Sequence, residues 1–284
     1  MIQNSDLPKQ LSAKVFGVST RAYYKWKKRP RSPDPDCELR FVIHPIASEF
    51  PKYGYRRVTH ALRREGFFVN HKKVLRIMKE EKLTVRTKKR NPRTTQSNHG
   101  FQKYPNLAKN TDVDSINTVW VSDITYIRLR REFVYLAAIT DLYSRRCVGW
   151  ALSRKPNTEL TLDALHMAVS LRGKEAVRGC IHHSDQGVQY ASTAYVDALT
   201  KHGLKPSMGE VGNSYDNAFA ESFFKTLKNE EVWINDYETI EDVYYNIKHF
   251  IEEVYNKKRI HSSIGYVPPI EYEEKKNLYI NAEA

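Results

Sequence analysis

The chain has 284 residues, 40% hydrophobic and 28% charged, which supplies a buried core and suits two domains. No apolar run approaches the ~18 residues of a membrane span. No apolar segment follows the N-terminal charges as a secretory signal would, and three scattered cysteines (Cys37, Cys147, Cys180) form neither a disulfide framework nor a zinc pattern. A cytoplasmic protein is expected, with no membrane partner. The net charge of +13 is unevenly spread: residues 1–110 carry +18 and residues 111–284 carry −5. Positive charge confined to one third of a chain is the footprint of a polyanion binder, most often nucleic acid.

Residues 1–35 read as a helical and basic arm, with Ser19 to Lys28 helical and a breaker-rich stretch from Pro30 to Pro35. An apolar pattern over Glu38–Phe50 predicts another helix, interrupted by Pro45. Tyr55–Glu65 follows as a helix stopped by Gly66, and Asn70 is placed to cap a helix over His71–Lys82. Two helices joined by a short glycine-containing turn, the second of them basic, outline a helix-turn-helix over residues 36–92. Arg56, Arg57, Lys72, Lys73, Arg76 and Lys79 are its candidate DNA contacts. The run RTKKRNPR brings Lys88, Lys89 and Arg90 to the start of a basic linker, taken as residues 93–113, that can follow a phosphate backbone.

Beyond the linker the pattern changes. Val119–Ile127, Phe133–Thr140 and Cys147–Leu152 read as three successive strands. Asn157–Leu171 is an amphipathic helix, Gly179–His183 a short strand, Tyr190–His202 a helix and Leu204–Met208 a further strand. Helices are expected from about Tyr215 to Val232 and from Ile240 to Asn256. Strands in succession, then alternation with helices, predict an α/β layer fold whose sheet begins antiparallel and ends parallel, in ribonuclease H-like order.

Three acidic residues stand out in this region. Asp123 interrupts the apolar run WVSDITYI, and Asp185 follows the fourth strand, where open α/β sheets place their ligands. Glu221 lies in a helix, with 35 residues between it and Asp185. At about 100° per residue, Asn217, Glu221, Lys225 and Lys228 share one stripe, while Ala220, Phe223, Phe224 and Leu227 gather on a neighbouring apolar face. Taken alone, Glu221 is an ordinary surface residue supported by Lys225. Three convergent carboxylates without His or Cys partners, however, suit a hard cation such as Mg2+ or Mn2+, and a pair of such ions suits phosphoryl transfer. His182 and His183 read as packing residues at a strand end, and Asp141 as a turn residue bonded to its own backbone.

In order along the chain stand YGYRRVTHALRREGFFVNHKKVLRIMKEEKL, WVSDITYI, TDLYSRRCVGW, HHSDQGVQY, GNSYDNAFAESFFKTLKNE and YNKKRIHSSIGYVPP. With these motifs the sequence resembles the transposases of bacterial insertion sequences, specifically the OrfB-type protein of the insertion sequence three family, within the retroviral-integrase superfamily. The resemblance covers most of residues 38–270. It implies an integrase-type catalytic core over 114–272 with a C-terminal tail from 273, preceded by the all-α helix-turn-helix domain. It also implies Asp123, Asp185 and Glu221 as a metal-binding DDE triad holding two Mg2+ or Mn2+ ions. The implied reaction is cleavage at terminal inverted repeats and joining of the freed 3′ hydroxyl to target DNA. The implied partners are double-stranded DNA, further copies of the chain in a synapse, and a first-reading-frame OrfA protein, separate or fused. Tyr190, Asn217, Lys225 and Lys228 are expected DNA contacts of the core. A purely hydrolytic ribonuclease H-like nuclease and a silent DNA-binding regulator are the alternatives; a lost triad residue would mark the regulator, and none is lost.

Overall fold

A computed structural model describes residues 8–28, 34–85, 102–209 and 218–283. The chain forms two compact units, which divide at Pro45.

The first unit carries α1 (Lys9–Val15), α2 (Thr20–Lys28) and most of α3 (Cys37–Glu49). Gly17, at φ +65°, ends α1 with its N–H on the Lys14 carbonyl, and the Ser19 hydroxyl accepts from the Ala22 N–H to open α2. Pro45 does not interrupt α3, contrary to expectation. A proline there leaves the Phe41 carbonyl without its helical donor, and Phe41 is exposed, so water can serve that carbonyl.

Early in the second unit stand two helices packed on each other as a hairpin, α4 (Tyr55–Arg64) and α5 (His71–Glu80). Gly66, at φ +88°, turns the chain out of α4, and Asn70 caps α5 by accepting from the Lys72 N–H at 2.8 Å. Val58 and Leu62 of α4 and Val74, Ile77 and Met78 of α5 are buried. Of the segment expected as linker, residues 102–113 lie on the core. The Leu107 N–H donates to the Ser207 hydroxyl at 2.9 Å, and Leu107, Ala108 and Val113 pack against Val119, Val121 and Ile181.

A five-stranded sheet follows, built from β1 (Val119–Arg128), β2 (Phe133–Asp141), β3 (Cys147–Ser153), β4 (Ile181–Ser184) and β5 (Lys205–Met208) in the order β3-β2-β1-β4-β5. The first three pair antiparallel; β4 and β5 join parallel to β1. Alternate residues enter opposite layers. Ala137 and Ile139 pack with α6 (Thr158–Arg172), α7 (Val188–Ala191) and α8 (Thr193–Lys201). Leu136 and Ala138 pack with α9 (Ala218–Leu227) and α10 (Ile240–His249). At Gly149 a Cβ would stand 2.2 Å from the Ala164 carbonyl oxygen, so α6 approaches β3 as closely as glycine allows.

The two long helices expected on the second face each end differently from expectation. α9 runs into a π-helical turn, Lys228–Val232, and α10 into another, Phe250–Tyr255. A last helix, α11 (Pro269–Glu283), begins before the expected tail, and its Glu273 is buried. Among the described residues no helix is long and apolar enough to cross a membrane.

Candidate active site and nucleic-acid surfaces

The parallel pairing of β1 with β4 sets the site. Val121 is in register with His183, so Asp123 and Asp185 each stand two residues beyond the same rung, at neighbouring places on adjacent chain segments. This is the carboxyl end of β4, where such sheets carry ligands. Asp185 closes a tight turn by accepting from the Gly187 N–H at 3.0 Å, and a Cβ at Gly187 would lie 2.9 Å from that carboxylate oxygen. Asp123, half-buried, accepts from the Ile124 N–H at 2.7 Å. Glu221 comes from the first turn of α9 and is exposed; Ala220, Phe223, Phe224 and Leu227 fix that helix on the sheet.

Asp123 feels both of the other carboxylates. Burial first, then Asp185, with Glu221 adding, pushes the Asp123 carboxyl up to about 8, while the neighbouring Lys228 acts against this. The Lys228 ammonium lies 4.7 Å above the Tyr126 ring; burial lowers its pKa and Asp123 raises it. Among the described residues, no three His, Cys, Asp or Glu side chains close in tightly enough to enclose a metal ion. Asp123 and Asp185 instead turn one oxygen each to a backbone amide. The donor chemistry nevertheless fits a hard cation: every group is a carboxylate, no imidazole or thiolate competes, and their mutual repulsion is what bound positive charge relieves.

The other polar groups nearby have structural partners. His182 Nε2 meets the Tyr195 hydroxyl at 3.0 Å and His183 Nδ1 the Ser207 hydroxyl at 2.9 Å, all buried. Asp141 accepts from the N–H groups of Asn117 (2.8 Å), Tyr143 (2.9 Å) and Ser144 (3.1 Å), which makes it the anchor of the β2–β3 turn.

Tyr190 is a correction. It was expected on DNA, but it is 3% exposed and packs its ring against Tyr195 and His182 inside the first core layer. The short α7, swung round by Gly187, turns this side chain inward. On the hairpin, Arg56, Lys72 and Lys79 are exposed, Lys73 is half-buried, and Arg76 pairs with Glu80 at 3.0 Å. Arg57 turns away from that surface into a cleft shared with Arg145 and Arg259, a gathering that the sequence did not disclose. Lys225 is exposed one turn beyond Glu221. Lys88, Lys89, Arg90 and Asn217 lie outside the described residues.

Comparison with known proteins adds an independent line. Residues 36–91 match the HTH-like domain, and residues 114–214 and 202–269 match integrase core domain families. The chain is 37% identical over 267 residues to an uncharacterized 31 kDa protein of insertion element IS600 from Shigella sonnei, covering 92% of this chain and 97% of that protein. It is 34% identical to a putative transposase for insertion sequence element IS986/IS6110 of Mycobacterium tuberculosis, over 84% and 87% of the two chains. It is 32% identical to transposase InsF for insertion sequence IS3A of Escherichia coli, over 92% of each.

Proposed function

The chain belongs to the insertion-sequence transposases typified by IS3, and from that premise we propose that it binds the terminal inverted repeats of its element, cleaves there, and joins the freed 3′ ends to target DNA. The observation that carries the reading is the shared rung: Asp123 and Asp185 extend equally past Val121 and His183, and the charge of Glu221 is felt at Asp123.

In this reading Asp123, Asp185 and Glu221 hold two Mg2+ or Mn2+ ions. When bound, the ions supply the positive charge that a phosphoryl transition state needs. The protein does the rest by placement. Burial and the charges of Asp185 and Glu221 raise the Asp123 carboxyl, so the cluster favours a proton or a cation at this position, and a bound cation would favour the ionised form. Lys228 acts against the rise in the Asp123 pKa, and Asp123 in turn offsets part of the burial that lowers the pKa of Lys228. Gly187 lets the backbone amide clamp Asp185, and the apolar face of α9 holds Glu221 at its station. No side chain need bond covalently to DNA, because the 3′ hydroxyl is itself the nucleophile, and catalysis is positioning with electrostatics.

The helix-turn-helix domain, residues 36–92, offers Arg56, Lys72 and Lys79 to phosphates, with Lys73 and Arg76 at the flank. Lys225 extends this charge toward the core, and Lys88, Lys89, Arg90 and Asn217 are proposed contacts in the same path. The catalytic core, residues 114–272, works as a homo-oligomer with DNA in a synapse, alone or with an OrfA protein, in the bacterial cytoplasm.

The test is a strand-transfer assay. Labelled duplexes carrying the element's own ends are incubated with Mg2+ or Mn2+ and either the wild type or Glu221→Gln. Joined product that needs the metal and disappears in the variant is expected. Cleavage without joining would mean a hydrolytic nuclease; binding without cleavage would mean a missing OrfA partner if adding that protein restores cleavage, and a silent regulator if it does not.

A further inference from the structure

One cleft on the second unit is unexplained by the triad. It has a volume of about 290 Å³ and draws its walls from four separate segments. Arg57 comes from α4 and Arg145 from the β2–β3 turn; Ser222 and Thr226 come from α9, and Arg259 with Ser262 from the segment before α11. Three guanidinium groups thus meet in one small recess.

Their states differ. Arg259 is 2% exposed and spent: its Nε and Nη2 donate to the two oxygens of Glu230, both at 2.7 Å. Arg57 and Arg145 are half-buried and have no ion pair among the described residues. Arg145 stacks 4.1 Å over the Phe219 ring, and its Nε is buried without a hydrogen-bond partner. Arg57 lies 5.6 Å over the Tyr53 ring. His261, between them, has its pKa driven well below the ordinary value by burial and by all three arginines, so it adds no cation of its own. Glu230 acts on Arg57 and Asp141 on Arg145 without an ion pair to either, so two half-buried guanidinium charges remain only partly compensated, which is costly because arginine cannot escape by losing its proton. Serine and threonine hydroxyls supply neutral donors around them. Planar guanidinium forks ringed by hydroxyls, one of them with an unpartnered buried Nε, are complementary to a tetrahedral oxyanion.

The placement on α9 identifies which oxyanion. Phe219, Ser222, Phe223 and Thr226 line the cleft and lie within about 100° of arc around the helix, whereas Glu221, Lys225 and Lys228 cluster on the far side. We propose that this cleft seats one backbone phosphodiester of the DNA, gripped by Arg57 and Arg145 on the side of α9 opposite Glu221, about one helix diameter (~10 Å) from the triad. The proposal rests on the transposase reading for its DNA. Arg57 belongs to the helical hairpin, so one seated phosphate is held by the DNA-binding hairpin and the catalytic core at once.

The experiment measures the affinity of a fluorescein-labelled duplex carrying the element's end, over a range of salt, for the full chain and its variants. Arg57→Gln and Arg145→Gln should each weaken binding about 5–10-fold and flatten the logarithmic salt slope by up to about one unit. The double variant should lose less than the product of the two, because both address one phosphate. Ser263→Asp, which puts a resident carboxylate at the cleft, should imitate them while leaving the thermal midpoint equal or higher. Lys174→Gln removes an exposed cation elsewhere and should resemble the wild type. Slopes for Arg57→Gln and Arg145→Gln that match Lys174→Gln, on a wild type that binds well, would overturn the cleft and leave the transposase reading standing. A wild type that binds no duplex, either alone or with an OrfA protein added, overturns that reading itself. If inorganic phosphate raises the wild-type midpoint but not that of Arg145→Gln, with every salt slope equal, the cleft takes a free anion, and the DNA assignment fails.

Discussion

Arg64 of α4 grips Glu271 of α11 with both terminal nitrogens, Nη1 at 3.1 Å and Nη2 at 2.5 Å, across 207 positions of sequence. The same seam carries the Tyr53 hydroxyl accepting from the Ile260 N–H at 2.9 Å and the His60 ring stacked on Tyr266 at 3.5 Å. The helical hairpin is therefore held to the far end of the chain and does not simply precede the core. Arg64 pulls the Glu271 carboxyl down to about 2. A depressed carboxylate pKa stabilises the fold above the free value near 4.5, and the contribution disappears as pH falls toward 2. Both partners are partly exposed, so the pair contributes at most about 1 kcal/mol. Glu271→Gln should lower the thermal midpoint by a few degrees at pH 7 and by progressively less below pH 4. A deficit that stays constant with pH would show that the pair carries no charge effect.

Crowding of like charge around Asp123 predicts an unusual response to its loss. Asp123→Asn should leave the cation-free protein as stable as the wild type or more so, because repulsion from Asp185 and Glu221 is relieved. Millimolar Mg2+ or Mn2+ should then raise the midpoint of the wild type and not that of the variant. Joining activity should fall by at least ~10²-fold, beyond the usual effect of removing a ligand's supporting partner. Equal metal stabilisation of the two proteins, measured by calorimetry, would remove Asp123 from the cation site.

Tyr190 separates burial from DNA contact. Tyr190→Ala should destabilise the fold by about 3–5 kcal/mol, as loss of a large core ring does. Tyr190→Phe should leave duplex affinity unchanged and cost at most about 1–2 kcal/mol. Urea unfolding and a binding titration on the same samples check both.

A truncation after Tyr272 tests the role of α11. It removes Glu273, which holds Arg172 through both carboxylate oxygens and Arg146 at 2.7 Å. Arg172 also lies 3.7 Å from Asp141, the anchor of the β2–β3 turn. Leaving two largely buried guanidinium groups without their carboxylate should cost about 3–5 kcal/mol. Glu273→Ala should reproduce most of this loss; if it does not, the helix acts through its packing and not through this carboxylate.

What the sequence disclosed followed from local periodicity. Short apolar runs of strand length marked the five strands, and a charge inside the apolar run of β1 marked Asp123. Glycine and asparagine at the ends of α4 and α5 marked the hairpin. What it withheld depended on partners far away in the chain. Nothing near Glu273 reveals Arg146 or Arg172, more than 100 positions earlier, so EYEEKK reads as a solvated tail. Arg57, Arg145 and Arg259 read as three surface cations until the fold gathers them. Tyr190 misled because a four-residue helix leaves too little periodicity to tell its inner face from its outer one. The π-helical turns after α9 and α10 leave no mark in an α-helical pattern.

The chain order of the layers has a practical corollary. All five strands and the carboxylates Asp123 and Asp185 precede residue 209, while Glu221 and the helices covering the second face of the sheet follow residue 217. Two polypeptides divided between Met208 and Ala218 would each bear one side of a hydrophobic seam, Leu136 and Trp150 on one, Phe223 and Ile247 on the other. Neither fragment would own all three of the carboxylates Asp123, Asp185 and Glu221. Their reunion would be driven by the same burial that folds the intact chain, and DNA joining would report it, making this architecture a ready-made split enzyme.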